Sequence, residues 1–263
     1  MKFGITSDIH REFNPVWDEM KSVRDEVDMF IFAGDIDVGI RGLEWAESLE
    51  KESVYVMGNH EYYNGVFETV KTQAVNFSNS SKYVSLLNNN VIYKDDVRIL
   101  GCTLWTDYNL YNPSQNPIDR LHTMQDISMH LNDHRVIRGI DGSSFSPLRA
   151  AAENECSVRW LEKEILTGFD GKTVVVTHHC PSAKGINPRF NGDFMNPAFH
   201  SNLEYLMEGV DLWVYGHTHY DADFIVGDCR VVSCQLGYAD RRGNTPERYV
   251  NGQGQHRPLI VEI

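Results

Sequence analysis

The sequence predicts an α/β fold in which strands are joined by helical crossovers. Three observations carry this. Short continuous apolar runs alternate with stretches of helical periodicity through the first third of the chain. Those runs stop abruptly at polar clusters containing Gly, Asp or Asn, as buried strands of a crossover-connected sheet do. The chain also has 263 residues, 41% of them hydrophobic, enough for a sizeable core.

In chain order, residues 2–6 form the first strand and halt at Ser7-Asp8. Residues 16–27 place Val16, Met20, Val23 and Val27 at helical spacing and predict a helix. Residues 29–33 are a second strand ending at Gly34-Asp35, and 43–49 return to a helical pattern. Residues 54–57 are a third strand ending at Gly58-Asn59, followed by a helix over 66–77. The middle changes character: 83–87, 91–93 and 97–104 read as successive strands. Residues 105–146 are rich in polar and turn residues, with one helix predicted over 119–135. The next helix spans 147–166, with Pro147 at its start and Gly168 just past its end, where helix termini favour those residues. Strand 172–177 ends in His178-His179, 200–208 is helical, and strand 212–215 ends in Gly216-His217-Thr218-His219. Residues 224–226, 231–234 and 259–263 close the chain as strands. Without repeats or linkers, 1–263 counts as one domain.

Charge and cysteine narrow the function. Lys and Arg number 24 against 37 Asp and Glu, a formal net charge of −13, which counts against non-specific binding to nucleic-acid backbone. Small anionic substrates stay open, because a local metal cluster outweighs a global charge. The five cysteines (Cys102, Cys156, Cys180, Cys229 and Cys234) include no CxxC pair and read as a reduced set. With neither a secretory pattern at the start nor a membrane-length apolar run, the expectation is a soluble, cytoplasmic protein.

Five strand ends carry the same kind of side chain: Asp8-Ile9-His10, Gly34-Asp35, Gly58-Asn59-His60-Glu61, His178-His179 and Gly216-His217-Thr218-His219. Carboxylate, imidazole and amide oxygen together suit Mn, Fe, Zn or Ni, with Mn favoured. In extended backbone, residues i and i+2 point the same way, so Asp8 with His10, and His217 with His219, can each reach one cluster. A lone Asp after a strand is usually a cap, and a lone His usually bonds backbone. Caps do not call for histidines at successive strand ends, so the joint pattern favours metal.

The ordered series DxH, GD, GNHE, H and GHxH resembles that of the calcineurin-like metallophosphoesterases and runs from Asp8 to His219. The resemblance implies a central β-sandwich flanked by helices in four layers (αββα), with 105–146 as a cap-like insertion. It implies two metal ions: Asp8, His10 and His219 hold the first, Asp35 bridges both, and Asn59, His178 and His217 hold the second. His60 then stands over the substrate as acid or charge stabiliser. His178 is favoured over His179 because it directly follows the strand. Many members place an acid three residues after the bridging Asp to orient this histidine; here that position is Val38, and Asp37 is the nearby acid. Arg135, Arg138 and His179 are candidate phosphate contacts. LNDHRVIR, at residues 131–138, resembles a stretch of some members and supports a cap near the site mouth. His122, Asp126, His130 and His134 would form one stripe if 119–135 were a single helix.

The expected activity is metal-dependent hydrolysis of small, nucleotide-like phosphomonoesters or phosphodiesters by a metal-activated hydroxide. The alternatives are a nuclease or nucleic-acid end-processing enzyme, and a non-catalytic scaffold that keeps the fold.

Overall fold

The computed structural model describes residues 1–15, 17–238 and 256–263. Two sheets stack face to face. The first has strands in the order β11-β1-β2-β3-β4, with β1 Lys2–Thr6, β2 Met29–Ala33, β3 Ser53–Val56, β4 Val84–Leu87 and β11 Leu259–Glu262. The second runs β5-β6-β7-β8-β10-β9, with β5 Asn90–Lys94, β6 Val97–Cys102, β7 Lys172–Thr177, β8 Leu212–Tyr215, β9 Ala222–Val226 and β10 Cys229–Ser233. The strands within each sheet are parallel, and only the edge pairings of β11, β5 and β9 are antiparallel.

Period-2 alternation sets the layers. Phe3, Ile5, Ile31, Val54 and Val56 of the first sheet pack against Ile99, Val174, Val176 and Val214 of the second. The intervening residues Phe30, Phe32 and Tyr55 face outward, onto α1 Arg41–Ser48 and α2 Phe67–Ser80. On the far side, Leu100, Val175, Trp213 and Tyr215 meet Leu161 of α5 Pro147–Leu166 and the turn around Leu206. The result is the four-layer α/β sandwich expected. Between layers, a Cβ on Gly101 would lie 2.5 Å from that of Leu87, so close approach of the sheets needs glycine there.

The helix over 147–166 forms as predicted, with Ser146 Oγ accepting from the Arg149 amide. Three expectations change. Residues Glu19–Glu26 form a 3-10 helix in place of the longer helix over 16–27; Met20 and Val23 still pack inward, and Val16 lies outside the described residues. The helix expected over 200–208 reduces to a 3-10 turn, Glu204–Met207. The helix expected over 119–135 breaks in two: α3 Pro117–Ser128 and the single turn α4 Asp133–Val136. Asp133 is buried and committed to Tyr63 and Asn59, and His134 Nδ1 donates to the Phe145 carbonyl. A continuous helix would compete with those bonds, so the four-residue stripe ends before His134. Among the described residues no helix is long and apolar enough to cross a membrane.

Candidate metal centre and active site

Strands β1, β2, β3, β7 and β8 end on one edge of the sandwich, where ligands bind in open α/β sheets. The backbone there is strained. Asp8 (φ +52°), His10 (+48°), Asp35 (+54°), His217 (+69°) and His219 (+48°) all sit in the left-handed region. Each such residue costs about 1–3 kcal/mol and persists only where its surroundings hold it. They do so here. The Asp8 amide donates to Gly34 O (3.0 Å), His10 N to Asp35 O (3.0 Å), and His217 N to the Asp8 carboxylate (3.0 Å). The His219 amide donates to Gln235 Oε1 (2.6 Å). Two glycines allow the close approach: a Cβ on Gly34 would stand 2.4 Å from His178 Nδ1, and one on Gly58 2.1 Å from Asp35 Oδ1.

The side chains converge in three groups able to hold a cation: Asp8 with His10 and His219, His10 with Glu12 and His60, and Asp35 with His178 and His217. His10 Nε2 and His219 Nε2 face each other at 2.9 Å, and His219 Nε2 lies 3.5 Å from Asp8 Oδ1. Asp35 stands between groups, with Oδ2 3.9 Å from His10 Nε2 and Oδ1 3.4 Å from His178 Nε2. His217 Nε2 is buried with no hydrogen-bond partner among the described residues. Buried imidazole lone pairs aimed at each other or at nothing are unfavourable alone and fit a bound cation. Carboxylates interleaved with them supply the compensating charge.

Asn59 is held from behind. Its Nδ2 donates to Asp133 Oδ1 (2.9 Å), which turns its Oδ1 to within 2.9 Å of His178 Nε2. His178 Nδ1 donates to the Ala33 carbonyl (2.8 Å), so its Nε2 faces the Asp35 group. His179 turns the other way: its Nδ1 donates to Thr103 O, and its ring packs 4.1 Å from that of His217. Burial, followed by the neighbouring His178, pushes His179 down to about 3, so it stays neutral. Glu61, the last residue of GNHE, accepts from the amides of Asp35, Ile36 and Gly58 and from the Tyr55 hydroxyl, tying the ends of β2 and β3 together. Burial and the nearby Asp35 push its carboxyl up to about 7.

His60 lies outside the two Asp-containing groups. Its Nδ1 donates to Glu12 Oε1 (2.9 Å), its Nε2 meets the Tyr238 hydroxyl (2.8 Å), and its ring stacks on Tyr63 at 3.9 Å. Burial disfavours the His60 cation, but the Asp35 charge and then Glu12 outweigh it and raise the ring to about 9. A bound cation would act in the opposite direction.

The structure does not bring every candidate here. Arg135 is exposed and donates to Met129 O; Arg138, also exposed, donates to Ser144 Oγ (2.6 Å). Asp37 is taken by the Val38 amide and by Arg41. Conversely, sequence reasoning passed over Glu12, Asp133, Gln235 and Tyr238. Next to His217 and His219, Thr218 opens into a cleft of about 230 Å³ walled by Phe190, Met195, Phe199, Asn187 and His200. Phe199 stacks on the His217 ring at 4.5 Å, so the cleft adjoins the centre.

A family model described as calcineurin-like phosphoesterase matches residues 1–221. An uncharacterized protein of Acanthamoeba polyphaga mimivirus is 26% identical over 281 residues, covering 93% of this chain and 94% of the other. Among solved structures, a phosphopantetheinyl hydrolase from Mycobacterium tuberculosis superposes with a TM-score of 0.71 at 15% identity, covering 98% and 95% of the two chains. A dimetal phosphatase from Danio rerio gives 0.53 at 14%, covering 90% and 87%. At those identities the structures show shared fold alone.

Proposed function

The chain belongs to the calcineurin-like phosphoesterase family and is a hydrolytic enzyme; we propose that it hydrolyses small, nucleotide-like phosphomonoesters or phosphodiesters at the edge where β1, β2, β3, β7 and β8 end. The observation that carries this reading is the division of Asp35, whose two carboxylate oxygens face different imidazoles, His10 and His178. One group of ligands would be Asp8, His10 and His219, the other Asn59, His178 and His217, with Asp35 shared. Mn, Fe, Zn or Ni suits this mixed oxygen and nitrogen set, and Mn is the ion proposed. Two such ions, when bound, supply a nucleophile from water at neutral pH and positive charge for the phosphoryl oxygens.

The chain's own residues do the rest. Asp133 holds the Asn59 amide with its oxygen inward. His60, set apart from the Asp-containing groups, presents Nε2 to the leaving group and donates a proton as the ester bond breaks. Tyr238 reaches the same nitrogen, so its hydroxyl marks where the leaving oxygen would sit. The cleft beside His217 offers aromatic and apolar walls to the organic part of the ester, and suits a flat ring better than a charged polymer. The segment 105–146 would set which ester enters.

A substrate panel on metal-defined enzyme tests this. p-Nitrophenyl phosphate, bis-p-nitrophenyl phosphate, cyclic nucleotides and single-stranded DNA should separate, with turnover of the small esters and little of the polymer. Preferential cleavage of DNA would overturn the small-ester reading in favour of a nuclease.

A further inference from the structure

Where many family members carry the acid that orients the histidine, this chain has Val38. Asp37, the neighbouring carboxylate, is spent on Val38 N (2.7 Å) and on Arg41 (3.0 Å to Nε). Yet His60 is not loose. Glu12, on the turn that leaves β1, buries its side chain to 11% exposure and sets Oε1 2.9 Å from His60 Nδ1. The same oxygen lies 3.2 Å from His10 Nδ1, and the two rings are 4.4 Å apart. Its other oxygen, Oε2, is buried without a hydrogen-bond partner among the described residues.

A carboxylate oxygen accepts and cannot donate, so two contacts at hydrogen-bond distance require a proton on Nδ1 of each ring. That choice leaves each Nε2 facing away from Glu12: that of His10 toward His219, and that of His60 toward Tyr238. We propose that Glu12 is the positioning residue for His60, filling the place Val38 leaves open and holding a proton on His60 Nδ1 so that Nε2 faces the substrate. This rests on the reading of His60 as the group that meets the leaving oxygen. The role follows from position: Glu12 comes two residues after His10, so the segment that delivers a ligand also delivers the brace.

The test uses the full-length chain. Zinc-loaded protein, being diamagnetic, permits nitrogen-15 correlation spectra of the histidine rings. Wild-type His60 is expected to carry a proton on Nδ1, and Glu12→Gln to shift the tautomer or broaden the signal. A wild-type His60 with Nδ1 unprotonated overturns the proposal, whatever the variant does. With manganese loaded, Glu12→Gln should keep its metal content and a KM within about two-fold of wild type. Its kcat on an alkyl or nucleoside phosphoester should fall about 10- to 100-fold, with a smaller loss for p-nitrophenyl esters. In a His60→Ala background, Glu12→Gln should cost nothing further. Multiplying losses, or a drop in metal content, would show that Glu12 acts through His10 and overturn the proposal. A His60→Ala variant with full activity would sink the reading of His60 itself, a result the tautomer spectrum keeps apart from the fate of Glu12.

Discussion

Asn59 and Asp133, 74 residues apart in sequence, meet through a 2.9 Å hydrogen bond from the Asn59 amide nitrogen to Asp133 Oδ1. That bond decides which end of the amide faces His178. The Tyr63 hydroxyl donates to the same carboxylate oxygen at 2.7 Å and fixes it in turn. Removing Asp133 should therefore let the amide rotate and present a donor where a ligand is needed. Asp133→Ala is expected to weaken binding of one of two ions by about 10- to 100-fold, the usual cost of losing a partner that orients a ligand. Calorimetric titration with Mn would measure it, and unchanged affinity at both sites would show that the amide is held by other means.

His178 and His179 are adjacent but point apart, one toward Asn59 and Asp35, the other toward Thr103. His178→Ala should empty the second ion site. His179→Ala should keep both ions and change stability or turnover. Elemental analysis of the two variants distinguishes them, and loss of an ion from His179→Ala alone would reverse the assignment.

His60 follows Asn59 directly, and its Nε2 meets Tyr238 instead of the Asp35 group. His60→Ala should leave metal content near normal and lower kcat by roughly 10²–10⁴-fold. The loss should be greatest for alkyl and nucleoside leaving groups and smaller for p-nitrophenol, which departs without a proton. A uniform loss would mean that His60 binds the phosphoryl group itself.

Acid should weaken the fold through His200. Burial pushes this ring down to about 4 from the ordinary 6.5, so the folded state keeps it neutral while the unfolded chain takes up a proton first. A depressed folded value means the stabilisation is present above about 6.5 and is lost as pH falls toward 4. The ceiling is about 3 kcal/mol for a shift of that size. Thermal unfolding in excess chelator, at neutral pH and near pH 4.5, should show a shallower acid loss for His200→Gln than for wild type. Equal losses would place the acid sensitivity elsewhere.

The strand-end blocks were legible because each is local: a buried apolar run, a glycine, then a ligand-type side chain within a few residues. The i, i+2 spacing did bring Asp8 and His10 into one group, but His217 and His219 fall in different groups, because the backbone at these residues is left-handed instead of extended. Glu12 and Asp133 were not legible in the same way. Each works across a long sequence separation, 48 residues to His60 and 74 to Asn59, which packing sets and no local period announces. Within 131–138, charge alone does not distinguish the exposed Arg135 and Arg138 from the buried Asp133. The broken helix after Ser128 has the same cause: periodicity favoured continuity, and tertiary hydrogen bonds of Asp133 and His134 won.

The proposed sharing of Asp35 by two cations rests on its two carboxylate oxygens, one facing His10 and the other His178. Elemental analysis of wild-type chain and Asp35→Asn, both equilibrated with Mn and desalted, tests it most directly. The expected result is close to two ions per wild-type chain and marked loss from both sites in the variant, since a neutral amide cannot bridge two cations as a carboxylate does. A variant that holds as much metal as wild type, or a wild type that binds a single ion at saturation, would contradict the account.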